Sequence, residues 1–523
     1  MKSTLVFLAL TLSGCAGFNH FNLDFLKLKR SPESIIKETS IAPQWQAPLP
    51  HAGKLENLNQ FWQQFDDALL LALIDSAQAV SPNVAAAKTR IAQARSARVS
   101  QLANARPTLD GNFLTSRSVQ QPDINATGGN SGAGAGAGDG SAVGGGFNGG
   151  GFNGSFGSGA INNIQIGLQS AWELDIFGAN KILVESAKKT ESAAEANWHE
   201  ARVAVAAELA TSYFNERYCQ AQLAILAKDL GSRQESSRLT AITIKAGFTP
   251  PAAQHLADAS LADAKQLLNA QQAQCDLIIK ELVALTDLTE PNLREKLAKQ
   301  AFNLNTLVAK NFFNLNELPA KVIAQRPDIT SAEAELIAAA AKVKSNKAAQ
   351  FPRVSLNGSI GWMWLSGVGF SGNGNVWSLG PLSITLPIFD SGKRKAEIGS
   401  AEAGYEEAAF NYRNKIRVAV KEVESALVNL HSSAQRRGNL LQALIDYQAS
   451  FKATEAKVRA GFANLIELET SRRDALLTET NLLNLMQSRT NAWVTLYRAA
   501  GGGWQNTQAA KATDSVKPTE SSK

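Results

Sequence analysis

Residues 164–177 read IQIGLQSAWELDIF, and along this stretch apolar side chains alternate with polar ones. A period of two places the apolar residues on one face of a β-strand and the polar residues on the other. A strand of about ten residues that crosses an outer membrane has this pattern, with its apolar face toward lipid. A soluble sandwich, whose apolar face points into a core, has it too. Alternation alone therefore leaves both interpretations open.

The pattern belongs to an internal repeat. Ile176-Phe177 recurs as Ile388-Phe389, an offset of 212, and Lys245-Ala246-Gly247-Phe248 recurs as Arg459-Ala460-Gly461-Phe462, an offset of 214. The first copy also holds an insertion, because of the 32 residues from Gly128 to Gly159, 16 are glycine. A segment of this composition cannot bury enough apolar surface to order itself, so we expect a loop between two strands.

Each copy also contains a long stretch without proline. It runs from Phe177 to Gly247 in the first copy and from Phe389 to Gly461 in the second. Within the second, apolar residues between Ile398 and Leu430 step by three or four positions, which is typical of a packed helix. A helix of about 70 residues is roughly 105 Å long. We therefore expect two long helical hairpins that turn at Gly247 and Gly461.

The N-terminus has the features of a secretion signal. Lys2 precedes a short apolar stretch, which ends in Leu12-Ser13-Gly14-Cys15. The apolar stretch is too short to span a membrane as a helix and reads as a signal peptide. The tetrad resembles a bacterial lipobox, in which the cysteine is lipidated and becomes the mature N-terminus. No aspartate follows Cys15, and by that resemblance the destination is the outer membrane.

Two strands per copy give four strands per chain, too few to close a barrel. Open sheet edges are not tolerated in lipid, so the chains must associate. Three copies supply twelve strands, an even number within the range of outer-membrane barrels. Other closed numbers are compatible with the strand count.

The chain resembles the outer membrane efflux proteins of the TolC type, in their lipidated NodT-like branch. The resemblance rests on Arg326-Pro327-Asp328-Ile329, on Ala332-Glu333 and Phe351-Pro352, on the run from Trp172 to Gly178, and on Leu386-Pro387-Ile388-Phe389-Asp390. It implies an α+β membrane protein: a trimeric outer-membrane β-barrel with four strands per chain and twelve in total, continuous with a long periplasmic α-helical barrel and an equatorial girdle. It also implies a periplasmic adaptor protein and an inner-membrane pump as partners.

These features divide the chain into five parts. We expect a signal peptide in 1–14, a lipidated N-terminal linker in 15–60, a first structural repeat in 61–295, a second in 296–503, and a flexible C-terminal tail in 504–523.

The resemblance assigns a gate residue, because Glu467 matches the principal acid of the family's periplasmic mouth. A threefold ring of Glu467 would attract cations. The rest of the family pattern is thin, because four other gate positions carry residues that cannot make the usual tethers: Ala253, Val458, Ala463 and Thr470. A solvated residue on a helix face is the alternative interpretation of Glu467.

The two turns, Ala246-Gly247-Phe248 and Ala460-Gly461-Phe462, match the tip motif that resembles an adaptor-contact site. Simple helical turns with a buried phenylalanine are the alternative.

Cys219 and Cys275 lie 28 residues before and 28 residues after Gly247, so an antiparallel hairpin puts them at the same height. Because the periplasm is oxidising, we predict a disulfide. Two thiols on different helix faces are the alternative, since equal height does not fix rotation.

Other classes of function find little support. A net charge of +6 over 523 residues is too dilute for a nucleic-acid partner, and the five histidines and three cysteines have no metal-ligand spacing. We expect no enzyme activity, no cofactor and no metal site. The leading hypothesis is an outer-membrane channel-tunnel for passive export of small toxic solutes, driven by an inner-membrane pump. The alternative is a non-conducting outer-membrane surface lipoprotein with a spacing or adhesive role.

Overall fold

The computed structural model describes residues 28–39, 41, 43–48, 58, 60–120, 159–300, 319–367 and 370–504. The signal peptide, Cys15, most of the glycine-rich segment and all of the C-terminal tail after Trp504 lie outside the described residues.

The described residues form one four-stranded sheet and a series of α-helices, of which two are very long. In chain order the elements are α1 (Pro32–Glu38), a 3-10 turn (Trp62–Phe65), α2 (Ala68–Val80), α3 (Pro82–Asn104), β1 (Thr108–Gln120), β2 (Gly159–Leu174), α4 (Ala179–Lys245), α5 (Ala252–Thr286), α6 (Glu290–Lys299), α7 (Pro319–Ala324), α8 (Pro327–Ala348), β3 (Arg353–Gly367), β4 (Phe370–Thr385), α9 (Lys393–Arg459) and α10 (Leu465–Ala499).

The two predicted helical hairpins are confirmed. Helices α4 and α9 have 67 residues each, and α5 and α10 have 35 each. At 1.5 Å per residue the long helices measure roughly 100 Å. Helices α3 and α8 end just before Pro107 and Pro352, because proline cannot continue a helix and disfavours the helical conformation in the residue before it.

The four strands form an antiparallel meander in the order β1-β2-β3-β4. Strand β2 pairs with β3 across the two repeats, so that Ile164 lies opposite Trp364 and Trp172 opposite Leu356. Strands β1 and β4 are the sheet edges within one chain.

The chain divides into two compact units that do not coincide with the repeats. The first unit contains the sheet and holds the described residues of 28–31, 95–188 and 338–405. The second holds those of 32–94, 189–337 and 406–504. Each unit therefore takes segments from both sequence repeats.

An aromatic cluster lies in the core of the second unit. Phe61 is fully buried and stacks on Tyr497 at 4.7 Å between ring centroids, while Phe65 packs against Phe214 at 4.9 Å. Beside it, the buried Asp67 caps α2 by accepting the backbone N–H groups of Leu69 and Leu70. These contacts join α2, α4 and α10 around one core.

Asp67 also accepts a hydrogen bond from the hydroxyl of Tyr213, and Arg217 donates to that same hydroxyl. Burial raises the pKa of Tyr213, and the hydrogen bond to Asp67 adds to this effect. The phenol therefore stays a neutral donor over the physiological pH range.

A second buried polar cluster fixes the start of α8. Arg326 donates two hydrogen bonds to Asp328, at 2.9 and 2.8 Å, and one each to Glu422 and the carbonyl oxygen of Ala499, at 2.8 and 2.9 Å. Burial disfavours the charge on Arg326, but the hydrogen bonds and charges of Asp328 and Glu422 outweigh it and raise the pKa of the guanidinium. The Arg-Pro-Asp sequence thus ties α8 to α9 and α10.

Part of the predicted linker 15–60 is anchored to the helices. It contains α1, and the backbone N–H groups of Gln46 and Ala47 both donate to the carboxylate of Glu424, at 2.8 Å each. A helix of seven residues is too short to be predicted from the periodicity of its sequence. The anchor depends on a contact with Glu424, which is far away along the chain.

No single helix among the described residues is both long and apolar enough to cross a membrane, although α2 and α3, bent by 50° at their junction, would meet these criteria as a pair.

Candidate membrane face, gate and docking turns

The sheet has one apolar and one polar face. The register places most of the large apolar side chains of the four strands on the same face, with Phe113 beside Ile166, Ile166 beside Trp362, and Ile360 beside Trp377. Many of them are exposed in the single chain, among them Phe113, Ile166, Trp377 and Leu379. A soluble domain rarely exposes an apolar surface of this extent, which fits contact with lipid instead.

Trp172 and Trp364 lie toward opposite ends of the apolar face, and Trp377 lies between them, opposite Ile360. Trp172 lies opposite Leu356, and Trp364 lies eight residues farther along β3. Eight residues of strand span roughly 26 Å. A strand tilted by about 40° rises only about 20 Å over that length, so both tryptophans fit within the apolar band, about 25 Å tall, of an outer-membrane barrel.

The opposite face carries mainly serine and glutamine side chains, together with the carboxylates of Asp110 and Glu173. Ser355 pairs with Ser383 and Ser359 with Ser378, at 2.6 and 2.7 Å between hydroxyl oxygens. Gln165 is only 8% exposed and donates to the sulphur of Met363. A surface of hydroxyl and amide groups is wettable, so it can line a water-filled channel.

Each strand-to-helix junction contains an aspartate, which precedes the Ile-Phe pair in the first repeat and follows it in the second. Asp175 accepts the backbone N–H groups of Asn180 and Lys181 at the start of α4, and Asp390 accepts those of Gly392 and Arg394 at the start of α9. Carboxylates at helix N-termini satisfy free N–H groups and interact favourably with the helix dipole. The repeated Ile-Phe sequence thus marks a repeated helix start.

The two turns at the ends of α4 and α9, called the tip turns below, share one geometry. Gly247 and Gly461 have φ of 75° and 78°, which a side chain would make strained. The backbone N–H of Phe248 donates to the carbonyl oxygen of Thr243, and the backbone N–H of Phe462 donates to the carbonyl oxygen of Lys457. Both turns are Schellman motifs, which end a helix.

Phe248 and Phe462 project from these turns and are 85% and 84% exposed. The interpretation of the tip turns as turns with a buried phenylalanine is therefore wrong for the single chain. Two exposed aromatic rings on well-ordered turns form a suitable contact surface for a partner protein.

Glu467 lies in the first turn of α10 and is exposed. The backbone N–H of Glu467 donates to the side-chain oxygen of Asn464. The side-chain amide nitrogen of Asn464 in turn donates to the carboxylate of Glu467, at 2.8 Å. Asn464 and Glu467 thus form a reciprocal cap of the kind found at helix N-termini. The single chain brings no basic side chain into hydrogen-bond contact with Glu467 among the described residues.

A buried ionic cluster near the tip turns escaped the sequence analysis. Glu469 and Arg472 on α10 form an ion pair, and Arg472 donates to Ser236 of α4 at 2.8 Å. Ser260 of α5 donates to Glu469 at 3.1 Å and accepts from Arg233 of α4 at 2.7 Å. The cluster joins three helices within about one and a half helical turns of Glu467. Its signal in the sequence, an acid and a base three residues apart, is too common on solvated helices to stand out.

Cys219 on α4 and Cys275 on α5 are joined by a disulfide, with 5.6 Å between their Cα atoms. Both residues are buried, at 5% and 2% exposure. The two cysteines therefore lie on the faces that α4 and α5 turn toward each other. The rotation of each helix about its axis, which the sequence could not specify, allows the bond.

Comparison with known proteins supports one family. The family model described as outer membrane efflux protein matches residues 73–287 and 318–502. The solvent efflux pump outer membrane protein SrpC of Pseudomonas putida is 27% identical over 447 residues, which cover 85% of this chain and 87% of that protein. Outer membrane protein OprJ of Pseudomonas aeruginosa is 30% identical over 356 residues, covering 66% and 71%.

Solved structures show the same fold. The crystal structure of the Campylobacter jejuni CmeC outer membrane channel matches with a TM-score of 0.73 and 21% identity, covering 95% of each chain. The predicted α+β class, with four strands per chain and long helical hairpins, is confirmed.

The disulfide can be tested by counting thiols. In denatured, unreduced protein we expect no thiol from Cys219 or Cys275 to react with a maleimide-polyethylene glycol reagent, because both sulphur atoms are bonded. Reduction should add two reagent molecules per chain, and the variant Cys219→Ser should show one without reduction. Two reactive thiols in a Cys15→Ala variant that has not been reduced would contradict the bond.

Proposed function

This chain belongs to the outer membrane efflux protein family, and we propose that it forms the outer-membrane channel-tunnel of a tripartite efflux or secretion system. In this proposal small toxic solutes leave passively through the channel, and an inner-membrane pump supplies the energy. The relative that is named for solvent efflux supports a cargo of small toxic molecules.

The observation that carries the proposal is the two-faced, open sheet. Its apolar face suits lipid and its polar face suits water, yet β1 and β4 leave an unpaired row of backbone groups at each edge. Pairing β4 of one copy with β1 of the next satisfies these groups. Three copies close a ring of twelve strands with a polar lumen, which makes a homotrimer the simplest assembly.

The helical hairpins extend the same assembly into the periplasm. Three copies of α4 with α5, and of α9 with α10, would surround a helical tube that ends at the tip turns. Phe248 and Phe462, with Ala246, Gly247, Ala460 and Gly461, are the proposed contact site for a periplasmic adaptor protein, because exposed aromatic rings gain most by being covered.

Glu467 is the proposed gate residue, since three copies of an exposed carboxylate at the mouth would attract cations. The buried cluster of Glu469, Arg472, Ser236 and Ser260 supports a closed mouth, because it ties α10 to α4 and α5 next to that residue. Separation of the helices would break the hydrogen bonds from Arg472 to Ser236 and from Ser260 to Glu469. Because it would leave buried charged groups without these partners, the cluster resists separation of the helices.

Cys15 is the proposed lipid-attachment residue, which would anchor the protein in the lipid of the outer membrane. Labelled palmitate fed to cells should be incorporated into the wild-type protein and lost from a Cys15→Ala variant. We expect the protein to stay in the outer-membrane fraction without the label, because the barrel itself holds it there. Equal labelling of both proteins would contradict the assignment of Cys15.

Conduction across planar bilayers tests the function and the gate together. The purified protein should form discrete channels that prefer cations. A Glu467→Gln variant should lower the cation-to-anion permeability ratio about two- to threefold, because it removes a charge ring at a constriction. Glu407→Gln, which changes an exposed acid in the first quarter of α9, far from Glu467, serves as the control and should leave the ratio unchanged.

Two results would count against these assignments. The absence of any channel at all voltages would favour the alternative role of a spacing or adhesive lipoprotein. Channels whose ion preference is the same in Glu467→Gln and wild type would leave the channel intact and remove Glu467 from its gate.

Adaptor binding tests the tip turns. A double variant, Phe248→Ser with Phe462→Ser, should weaken binding to the cognate purified adaptor at least about tenfold, since each buried phenylalanine contributes about 1.5–3 kcal/mol. Phe410→Ser is the matched control, because Phe410 is 62% exposed but lies within α9. Equal affinity of the double variant and the control would place the adaptor contact elsewhere.

A further inference from the structure

Each of the four strands has an exposed cation at or near its end, and all four ends lie at the same edge of the sheet. In the antiparallel meander, β1 and β3 begin at this edge, and β2 and β4 end at it. Arg106 lies two residues before β1, Lys181 seven residues after β2, and Lys393 eight residues after β4. Arg353 is the first residue of β3. These four side chains, called the basic belt below, are all exposed.

The positive charge of the chain is concentrated around this edge. Twelve lysines and arginines, but only six aspartates and glutamates, occur in the four segments of the first unit that adjoin the strand ends: 95–106, 173–188, 338–353 and 386–405. This excess of six equals the net charge of +6 of the whole chain, so the other residues are neutral in total. A charge that is dilute over the whole chain is therefore dense at one edge of the sheet.

The basic belt has no counter-charge of its own. Among the described residues, no carboxylate forms a salt bridge with the four belt side chains, whereas the neighbouring Arg394 is paired with Asp390 at 2.7 Å. The aspartates of the junctions have other roles, because Asp175 and Asp390 accept backbone N–H groups at the starts of α4 and α9. Four exposed cations without a partner charge attract anions.

Trp172 indicates where the belt lies relative to the apolar face. It belongs to that face, and its indole N–H donates to the carbonyl oxygen of Ala105 at 3.3 Å. Tryptophans at a membrane boundary have this arrangement, with the ring in the apolar region and the N–H at polar groups. Arg106 directly follows Ala105, and the exposed Ile176 extends the apolar surface to within five residues of Lys181. The belt therefore lies at the level where lipid headgroups meet the apolar face.

Contacts between the junctions hold the backbone of the belt in place. Phe177, just after β2, stacks on Phe351, just before β3, with 5.2 Å between ring centroids. The guanidinium of Arg394, at the start of α9, donates to the carbonyl oxygen of Ala349, just after α8, at 3.2 Å. Because the backbone is already ordered, binding of an anion here does not have to order it.

We propose that the basic belt binds the headgroups of anionic glycerophospholipids in the leaflet that faces the periplasm. The inference rests on the proposed function, which places the sheet in the outer membrane and the helices in the periplasm. The guanidinium groups of Arg106 and Arg353 can each donate two parallel hydrogen bonds to phosphate oxygens, whereas Lys181 and Lys393 act as point charges. A zwitterionic lipid is a poorer ligand, because the cations that attract its phosphate repel its ammonium group.

Spin-labelled lipids test the proposal in vesicles. The full-length protein is reconstituted in phosphatidylcholine at low salt, with a trace of phosphatidylglycerol or phosphatidylcholine that carries a nitroxide near the end of one acyl chain. Electron paramagnetic resonance then gives the fraction of each labelled lipid that the protein immobilises. We expect the association constant of phosphatidylglycerol to exceed that of phosphatidylcholine about threefold or more. Molar salt should reduce this ratio, because it screens exposed charges.

Two variants with the same change in charge locate the bound headgroup. The belt variant should fold, because its four side chains are exposed and form no salt bridge, and should bring the ratio of association constants close to one. It combines Arg106→Gln, Lys181→Gln, Arg353→Gln and Lys393→Gln. The control variant removes four exposed lysines from the parts of the helical hairpins near the tip turns and should keep the wild-type ratio. It combines Lys228→Gln, Lys265→Gln, Lys452→Gln and Lys457→Gln.

The proposal is overturned if wild type immobilises both lipids equally, or if the belt and control variants prefer phosphatidylglycerol equally while their far-ultraviolet circular dichroism matches wild type. It is also overturned if replacing chloride by phosphate at equal ionic strength abolishes the preference, since the cations would then serve a free anion. These outcomes leave lipid immobilised around the sheet and the proposed function intact. Absence of any immobilised lipid would instead contradict the placement of the sheet in a membrane, on which both proposals rest.

Discussion

The unpaired edges of the sheet are the constraint on which the account depends. Strands β1 and β4 each present a row of backbone N–H and C=O groups that have no strand partner among the described residues. In water such groups are solvated, but in hydrocarbon each unsatisfied group costs several kcal/mol. The exposed apolar face places the sheet in hydrocarbon. A single chain therefore cannot be the finished structure, and the simplest way to satisfy both edges is to join copies in a ring.

Because the sequence is repeated, the two long helices begin and end with similar structural features. An aspartate accepts backbone N–H groups at the start of each long helix, and Gly247 and Gly461 end these helices with the same Schellman turn. The two copies differ in other contacts. The first hairpin has the disulfide, whereas the second carries Glu467 and the buried Glu469 and Arg472, whose hydrogen bonds to Ser260 and Ser236 tie it to the first.

Periodicity and proline positions were sufficient to predict the strands, the long helices and their turns, because these elements are set by local pattern. The equal spacing of Cys219 and Cys275 about Gly247 predicted their common height but not their facing, which depends on the rotation of each helix. The cluster around Arg472 and a polar cavity that Gln222 lines are each formed by residues from three helices. The anchor of Gln46 and Ala47 on Glu424 depends on residues far apart in sequence. Such features have no local signal in one sequence.

Native mass spectrometry of the protein released from detergent micelles tests the closure of the sheet most directly. The account predicts a dominant species with the mass of three chains, because three copies form the ring of twelve strands in which every edge is paired. A stable single chain that keeps its strand content in the micelle would contradict it, since the edges of β1 and β4 would then have to remain unpaired in an apolar surrounding.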